Sequence, residues 1–360
     1  MKRRILCALL AALLCAGLLP LLSACSAGGN GDVHVFYYTY SDTYISTVRT
    51  ALDAKLEQAD IRYQDHDSNN SQTTQTEQVQ TAITKGAKLL VVNIVTTGSD
   101  DAATGIVNLA KGANIPVIFF NREVSDAVVN SYDKCVYVGT DASEAGKLQG
   151  DMIGDYLTAN YKAADLNGDG KISYVMFMGE KGNAEAISRT KYSVEHANAK
   201  LSAAGKPALS FYDSANKDGY LPDREGKWSA QAANDYMNTI LSSYSIANKN
   251  MVELVICNND GMAEGAVSAL TAAGYNTGAQ GAVTIPVFGV DATSAARELI
   301  AAGKMAGTIK QDADGMAEAI ARVARNAMDG KDLLDGLSAD YPIDESADKL
   351  RIAYSVYLGQ

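Results

Sequence analysis

Histidine and tryptophan are almost missing from this chain of 360 residues, which has three histidines, His34, His66 and His196, and one tryptophan, Trp228. No histidine stands in a catalytic spacing and no G-x-S-x-G element occurs, so the usual machinery of nucleophilic hydrolysis has no carrier here. Carboxylates and arginines could in principle serve as acid and base for glycoside cleavage, but without such a constellation the chain is read as a binding protein and not an enzyme, a reading that turnover of a sugar would overturn. Cysteine is equally scarce. Of five, Cys7, Cys15 and Cys25 fall within the first 25 residues, and only Cys135 and Cys257 remain. Both sit in apolar, strand-like runs and read as buried free thiols rather than a staple, because a chain this long can build a core without one. Cationic charge is also short: 31 lysines and arginines face 42 acidic residues. Removing Lys2, Arg3 and Arg4 takes the formal net charge of −11 to about −14, a surface that repels phosphate backbones and excludes nucleic acid as a partner. Beyond residue 22 no apolar run approaches the roughly 18 residues of a membrane-spanning helix.

The N-terminus carries the long apolar run that the rest lacks. Met1-Lys2-Arg3-Arg4 is a basic start, Ile5 to Leu22 is apolar, and Leu22-Ser23-Ala24-Cys25 closes on small residues before a cysteine. That is an export signal over residues 1–24, and it resembles a lipoprotein signal in which Cys25 is diacylated and becomes the mature N-terminus. Residues 25–32 follow as a short, flexible tether. The body is then expected outside the cell or in a periplasm, with the membrane touched only through the lipid.

From Val33 onward strands alternate with helices. Val33-His34-Val35-Phe36-Tyr37 is a strand, and Ile45, Val48, Leu52 and Leu56 form the stripe of an amphipathic helix. Apolar runs Leu89 to Ile94 and Pro116 to Phe120 flank an Ala-rich helix ending near Gly112. The alternation resumes with Ile172 to Met178, a helix past Arg189, Leu209 to Tyr212, a helix from Trp228, Leu254 to Cys257, and Val287 to Val290. The class is α/β, with doubly wound parallel sheets, and about 330 residues suffice for two lobes.

Such sheets bind ligands at the carboxyl ends of their strands. Standing there are Asp42, Asn121, Asn183, Glu185, Asn258-Asn259-Asp260 and Asp291, with Arg189 one turn beyond Glu185. Amides, carboxylates and a guanidinium suit a ligand made of hydroxyls, and Tyr44 and Trp228 offer flat faces for the C–H side of a pyranose. Each Asp or Asn alone also reads as a helix cap. A second motif is sharper. Asp165-Leu166-Asn167-Gly168-Asp169-Gly170-Lys171-Ile172-Ser173 follows the start of a calcium loop, with side-chain oxygens at Asp165, Asn167, Asp169 and Ser173 and a backbone carbonyl at Lys171. The twelfth position is Met176 rather than Glu, so a structural Ca²⁺ would need a carboxylate from elsewhere.

These residues resemble the periplasmic glucose/galactose-binding protein family, the class I sugar receptors of ABC transporters and chemotaxis. The resemblance runs from about Val33 to Leu358 through Tyr40-Ser41-Asp42-Thr43-Tyr44, Pro116 to Asn121, Tyr137 to Asp141, the calcium loop, Gly179 to Glu185 with Arg189, Asn258-Asn259-Asp260 and Pro286 to Asp291. It implies Glu253 as the missing calcium carboxylate, Tyr44 and Trp228 as the stacking pair, and Asp42, Asn121, Arg189, Asn259 and Asp291 as sugar ligands. Asn183, Glu185 and Gln311 stand where the family shows His, Asp and Asn, and Tyr44 where it shows Phe. Glucose or galactose is the implied sugar, with another hexose or a pentose such as xylose next. Also implied are a monomer of two Rossmann-like lobes, 33–139 plus 313–349 and 141–309 plus 352–360, joined by a three-strand hinge. The partners are a membrane permease and a chemoreceptor reading the closed form. A repressor-type sensor shares the fold, but export signal, acidity and lack of a basic helix-turn-helix argue against it.

Overall fold

The computed structural model describes residues 31–359; the signal, Cys25 and most of the tether lie outside them. In the first lobe β1 (Val33–Tyr37), α1 (Thr43–Gln58), β2 (Tyr63–Asp67), α2 (Gln72–Thr84), β3 (Leu89–Val92), α3 (Asp101–Ala113), β4 (Val117–Phe120), α4 (Asp126–Val129) and β5 (Cys135–Gly139) follow in turn. The second lobe takes α5 (Ala142–Ala164), β6 (Ser173–Met178), α6 (Ala184–Ala203), β7 (Ser210–Phe211), β8 (Leu221–Pro222), α7 (Ala230–Leu241), β9 (Leu254–Cys257), α8 (Asp260–Ala272), β10 (Val287–Asp291), α9 (Ser294–Ala301) and β11 (Gly307–Gln311). Helix α10 (Ala313–Met328) and β12 (Lys349–Arg351) return to the first lobe, and β13 (Tyr354–Tyr357) ends in the second.

The sheets run β12-β5-β4-β3-β1-β2 and β13-β11-β10-β9-β6-β7, with β8 beside β6. Every pairing is parallel except β11 with β13. Strand order reverses between β1 and β3 and again between β6 and β9, which opens a crevice at the carboxyl ends of both sheets. Each sheet is buried on both faces, as a parallel sheet must be when helices cover it. In β1, Val35 and Tyr37 join the core under α1 and α10, while Phe36 points to the opposite core with Leu90, Val117 and Phe119. The stripe Ile45, Val48, Leu52 and Leu56 is wholly or almost wholly buried; each such side chain contributes roughly 1.5–3 kcal/mol by leaving water. Cys135 and Cys257 are buried free thiols in different lobes, and burial pushes the Cys135 thiol up to about 12.

Two boundaries differ from the sequence reading. Asp32, placed in the tether, is already part of the sheet: its N–H donates to the Arg62 carbonyl and its carbonyl accepts from Lys88. The chain passes between the lobes after Gly139, Gln311 and Arg351, where β5, β11 and β12 end. The helix expected from Trp228 begins at Ala230, since Trp228 has a left-handed φ of +55° and Ser229 is the N-cap. Strand β2, Tyr-Gln-Asp-His-Asp, is polar enough to look like a loop; it exists because β1 supplies its backbone partners along one edge.

That edge holds a half-buried acid pair. Asp53 of α1 and Asp65 of β2 lie beside Tyr37, Tyr63 and Arg49, each with one carboxylate oxygen out of water and without a hydrogen-bond partner, and burial first, then the Asp53 charge, pushes Asp65 up to about 8. A folded-state value raised above the ordinary carboxylate range contributes stability at low pH that is lost as pH rises toward 8. Asp65→Asn should therefore melt a few degrees above the unchanged protein at pH 9 and show no gain at pH 5; equal melting curves at pH 9 would refute the raised Asp65 value.

Candidate ligand-binding site

Between the lobes lies a polar cavity at the carboxyl ends of the two sheets. All ten residues singled out from strand ends and resemblance line it: Asp42, Tyr44, Asn121, Asn183, Glu185, Arg189, Trp228, Asn259, Asp291 and Gln311. Tyr38, Ile45 and Arg122 line it as well and were missed, although Tyr38 and Arg122 follow β1 and β4 as closely as the residues that were chosen. Asn258 and Asp260 do not reach it. The Asn258 side chain is taken up by Gly179 N–H and Thr190, and the Asp260 carboxylate by Thr308 and the Thr293 N–H.

The cap reading and the ligand reading are both realised in the same side chains. Asp42 caps α1, accepting from Ile45 N–H at 2.8 Å, and its second oxygen accepts from the Tyr38 hydroxyl at 2.7 Å. Asn183 caps α6 and Asn259 caps α8. Capping consumes one acceptor site and leaves the other polar capacity for the cavity. Asn121 stands at φ +61° in a three-residue turn closed by Arg122 N–H on the Phe120 carbonyl, and its carboxamide oxygen accepts from Asn93. Asp291 has φ +126° and Trp228 φ +55°, so three cavity residues hold backbone conformations that cost free energy and persist because their surroundings fix them.

Arg189 organises the floor. Its guanidinium donates to the Asn258 carbonyl at 2.8 Å, to Gln311 Oε1 at 3.1 Å and to the Tyr354 hydroxyl at 2.9 Å, and Tyr354 in turn bonds Thr140 at 2.8 Å. Thr140, Gln311 and Tyr354 lie on the three crossings between lobes, so one side chain gathers all of them. Burial alone would discourage its charge, yet Tyr354 and Asp291 beside it hold the proton on firmly. Burial pushes Asp291 well above the usual carboxylate range against the pull of Arg189, and it raises Glu185 too.

The lobes also touch directly. Arg122 of the first lobe pairs with Glu180 of the second, Glu185 Oε1 accepts from Glu123 N–H at 3.0 Å, and Asn183 donates to Thr97 Oγ1 at 3.2 Å. The molecule is thus in a closed arrangement. Arg122 Nη2 has only its ion pair with Glu180, and three further buried polar atoms of the lining residues have no protein partner: Glu185 Oε2, Arg189 Nε and Gln311 Nε2.

A second feature lies at the far side of the second lobe. Asp165 accepts from Gly168 and Gly170 N–H, Asn167 from Asp169 N–H and Asp169 from Lys171 N–H, with Gly168 and Gly170 at φ +73° and +80°. Glu253 is wholly buried against this loop, accepting from the N–H groups of Leu166, Asn167 and Ser173 and from the Ser173 hydroxyl. Among the described residues no three His, Cys, Asp or Glu side chains converge as a metal group. The loop's donor set is nonetheless all oxygen: each bonded oxygen of Asp165 and Asp169 accepts a single N–H and keeps a lone pair, whereas each Glu253 oxygen already accepts two hydrogen bonds.

Comparison with known proteins follows the same outline. Residues 33–332 match the periplasmic binding protein domain. The D-galactose/methyl-galactoside binding periplasmic protein of Haemophilus influenzae is 36% identical over 315 residues, spanning 87% of this chain and 86% of that relative. The ribose import binding protein of Escherichia coli is 27% identical over 278 residues, 77% of each chain. An ABC transporter solute binding protein of Clostridium phytofermentans, solved with β-D-glucose, shares the fold with a TM-score of 0.70 at 20% identity, covering 91% of this chain and 94% of its own. The match extends over both sheets and the crevice between them, and on that ground the chain belongs to the periplasmic binding protein domain family.

Proposed function

We propose that this protein is the lipid-anchored substrate-binding component of a bacterial ABC importer, and that its two lobes close on one neutral monosaccharide, D-galactose or D-glucose. The observation that carries the reading is the trio of unpartnered atoms, one acceptor and two donors, in a single closed cavity. Each costs about 1–3 kcal/mol if left unmatched, and ring hydroxyls, which donate and accept at once, match all three. The galactoside-binding name of the Haemophilus relative supports the sugar class. Asp42 and Asn121 come from one lobe and Arg189, Asn259 and Asp291 from the other, so a ligand held by both sets stabilises closure. The closed form is what a permease, and a chemoreceptor if one is present, would read.

A second reading keeps the receptor and changes the sugar. Glu185 and Gln311 reach one carbon further than the Asp and Asn of the family pattern, which narrows the space and favours another hexose or a pentose such as D-xylose. Calorimetric titration with D-galactose, D-glucose, D-xylose, D-ribose and myo-inositol decides between them. Binding of none of these sinks the proposal.

The anchor and the calcium belong to the same proposal. Cys25→Ser should release the protein from the membrane fraction. Asp165, Asn167, Asp169, the Lys171 carbonyl, Ser173 and Glu253 would hold the cation, whose charge would offset that of the three carboxylates. A chelator should lower the melting temperature by several degrees and leave sugar affinity within about twofold. An unchanged melting curve, with no calcium found in the protein, removes the site.

A further inference from the structure

The described structure gives Trp228 an unusual support. Its φ of +55° is one that a bulky side chain adopts only under constraint, and its ring occupies the space where a Cβ on Gly179 would collide. The constraint traces to Asp223, a carboxylate only 4% exposed that does not line the cavity. One oxygen of Asp223 accepts from Glu225 N–H at 2.9 Å; the other accepts from both the N–H and the hydroxyl of Ser229, each at 2.9 Å. Asp223 is itself fixed, because β8 pairs with β6 and the Asp223 N–H donates to the Met178 carbonyl at 2.9 Å. The Trp228 carbonyl accepts from Asn259 Nδ2 at 3.1 Å. Residues 223–229 thus form a loop whose two ends are tied by one buried carboxylate. Its middle reaches the other lobe, where Asn70 donates to the Glu225 carbonyl at 3.3 Å.

We infer that Asp223 is a positioning residue: by closing the 223–229 loop it fixes the Trp228 ring across the cavity and holds the loop against the opposite lobe. The role in sugar capture rests on the function proposed above; the role in holding the ring does not. A carboxylate suits the task because three N–H and O–H groups converge on it, and it is acceptor-only. Alanine leaves all three donors without a partner and frees the residue whose φ is strained.

Trp228 is the sole tryptophan, so its fluorescence reports the loop without labelling. Iodide quenching of the sugar-free protein, with circular dichroism to confirm folding, is expected to rise at least twofold in Asp223→Ala. Asp223→Asn keeps an acceptor for Ser229 and loses the one for Glu225, and should fall between. Calorimetry with D-glucose and D-galactose is expected to show at least tenfold weaker binding for the alanine variant and partial rescue by asparagine. Wild-type quenching in whichever variant folds overturns the inference, as does weakened binding with quenching unchanged. If the unchanged protein binds neither sugar, the sugar reading fails, and the quenching comparison still decides the role of Asp223.

Discussion

Replacing Arg189 with methionine is expected to weaken monosaccharide binding at least 100-fold while the protein remains folded. Methionine preserves much of the side-chain volume, so packing against Trp228 survives. What disappears is a buried charge and its fork of donors. The Asn258 carbonyl, Gln311 Oε1 and the Tyr354 hydroxyl each lose a partner, and the Nε donor available to a ligand goes with them. Truncating one member of a buried, hydrogen-bonded charge network commonly costs 2–5 kcal/mol, and every 1.4 kcal/mol is tenfold in affinity. Because the lost bonds run to Gln311 and Tyr354, on two of the three crossings, small-angle scattering should also show a larger fraction of expanded molecules at saturating sugar. Affinity within fivefold of the unchanged protein would take Arg189 out of the site.

Asp42 separates capping from ligand binding, and two substitutions do it. Asp42→Ala removes the α1 cap, worth about 1 kcal/mol, together with the oxygen that faces Tyr38 and the cavity. It should lower the melting temperature by roughly 2–4 °C for a domain of this size and weaken sugar binding about 100-fold. Asp42→Asn keeps an acceptor for Ile45 N–H but gives up the charge, so the melting temperature should hold while affinity falls about tenfold, since hydrogen bonds to an ionised group are the stronger ones. Calorimetry and thermal melts on the pair measure both effects. If the two variants bind sugar as the unchanged protein does, Asp42 is a cap and nothing more.

Much of this molecule is legible before folding because its signals are local. The period-two and period-three-to-four patterns that place β1 and α1 depend on neighbours within a dozen residues, and the rule that ligands sit past strand ends converts those elements directly into Asp42, Asn121, Asn259 and Asp291. What stayed hidden depends on partners far along the chain. Strand β2 carries no apolar alternation and exists only because β1 lends it backbone bonds. Arg122 reads as an ordinary surface cation until the second lobe brings Glu180 to it, and Asp223 is one acidic loop residue among several until its carboxylate is seen to close on Ser229.

Short-range order suffices for the alternation of strands and helices, the pool of polar residues at strand ends and the basic, apolar start of the chain. Folding alone settles which of those polar groups face the cavity and which are consumed as caps, where the chain passes between lobes, and which buried atoms remain without a partner. Those outcomes depend on distances between residues as far apart as Thr140 and Tyr354, and no local pattern of hydrophobicity encodes such a distance.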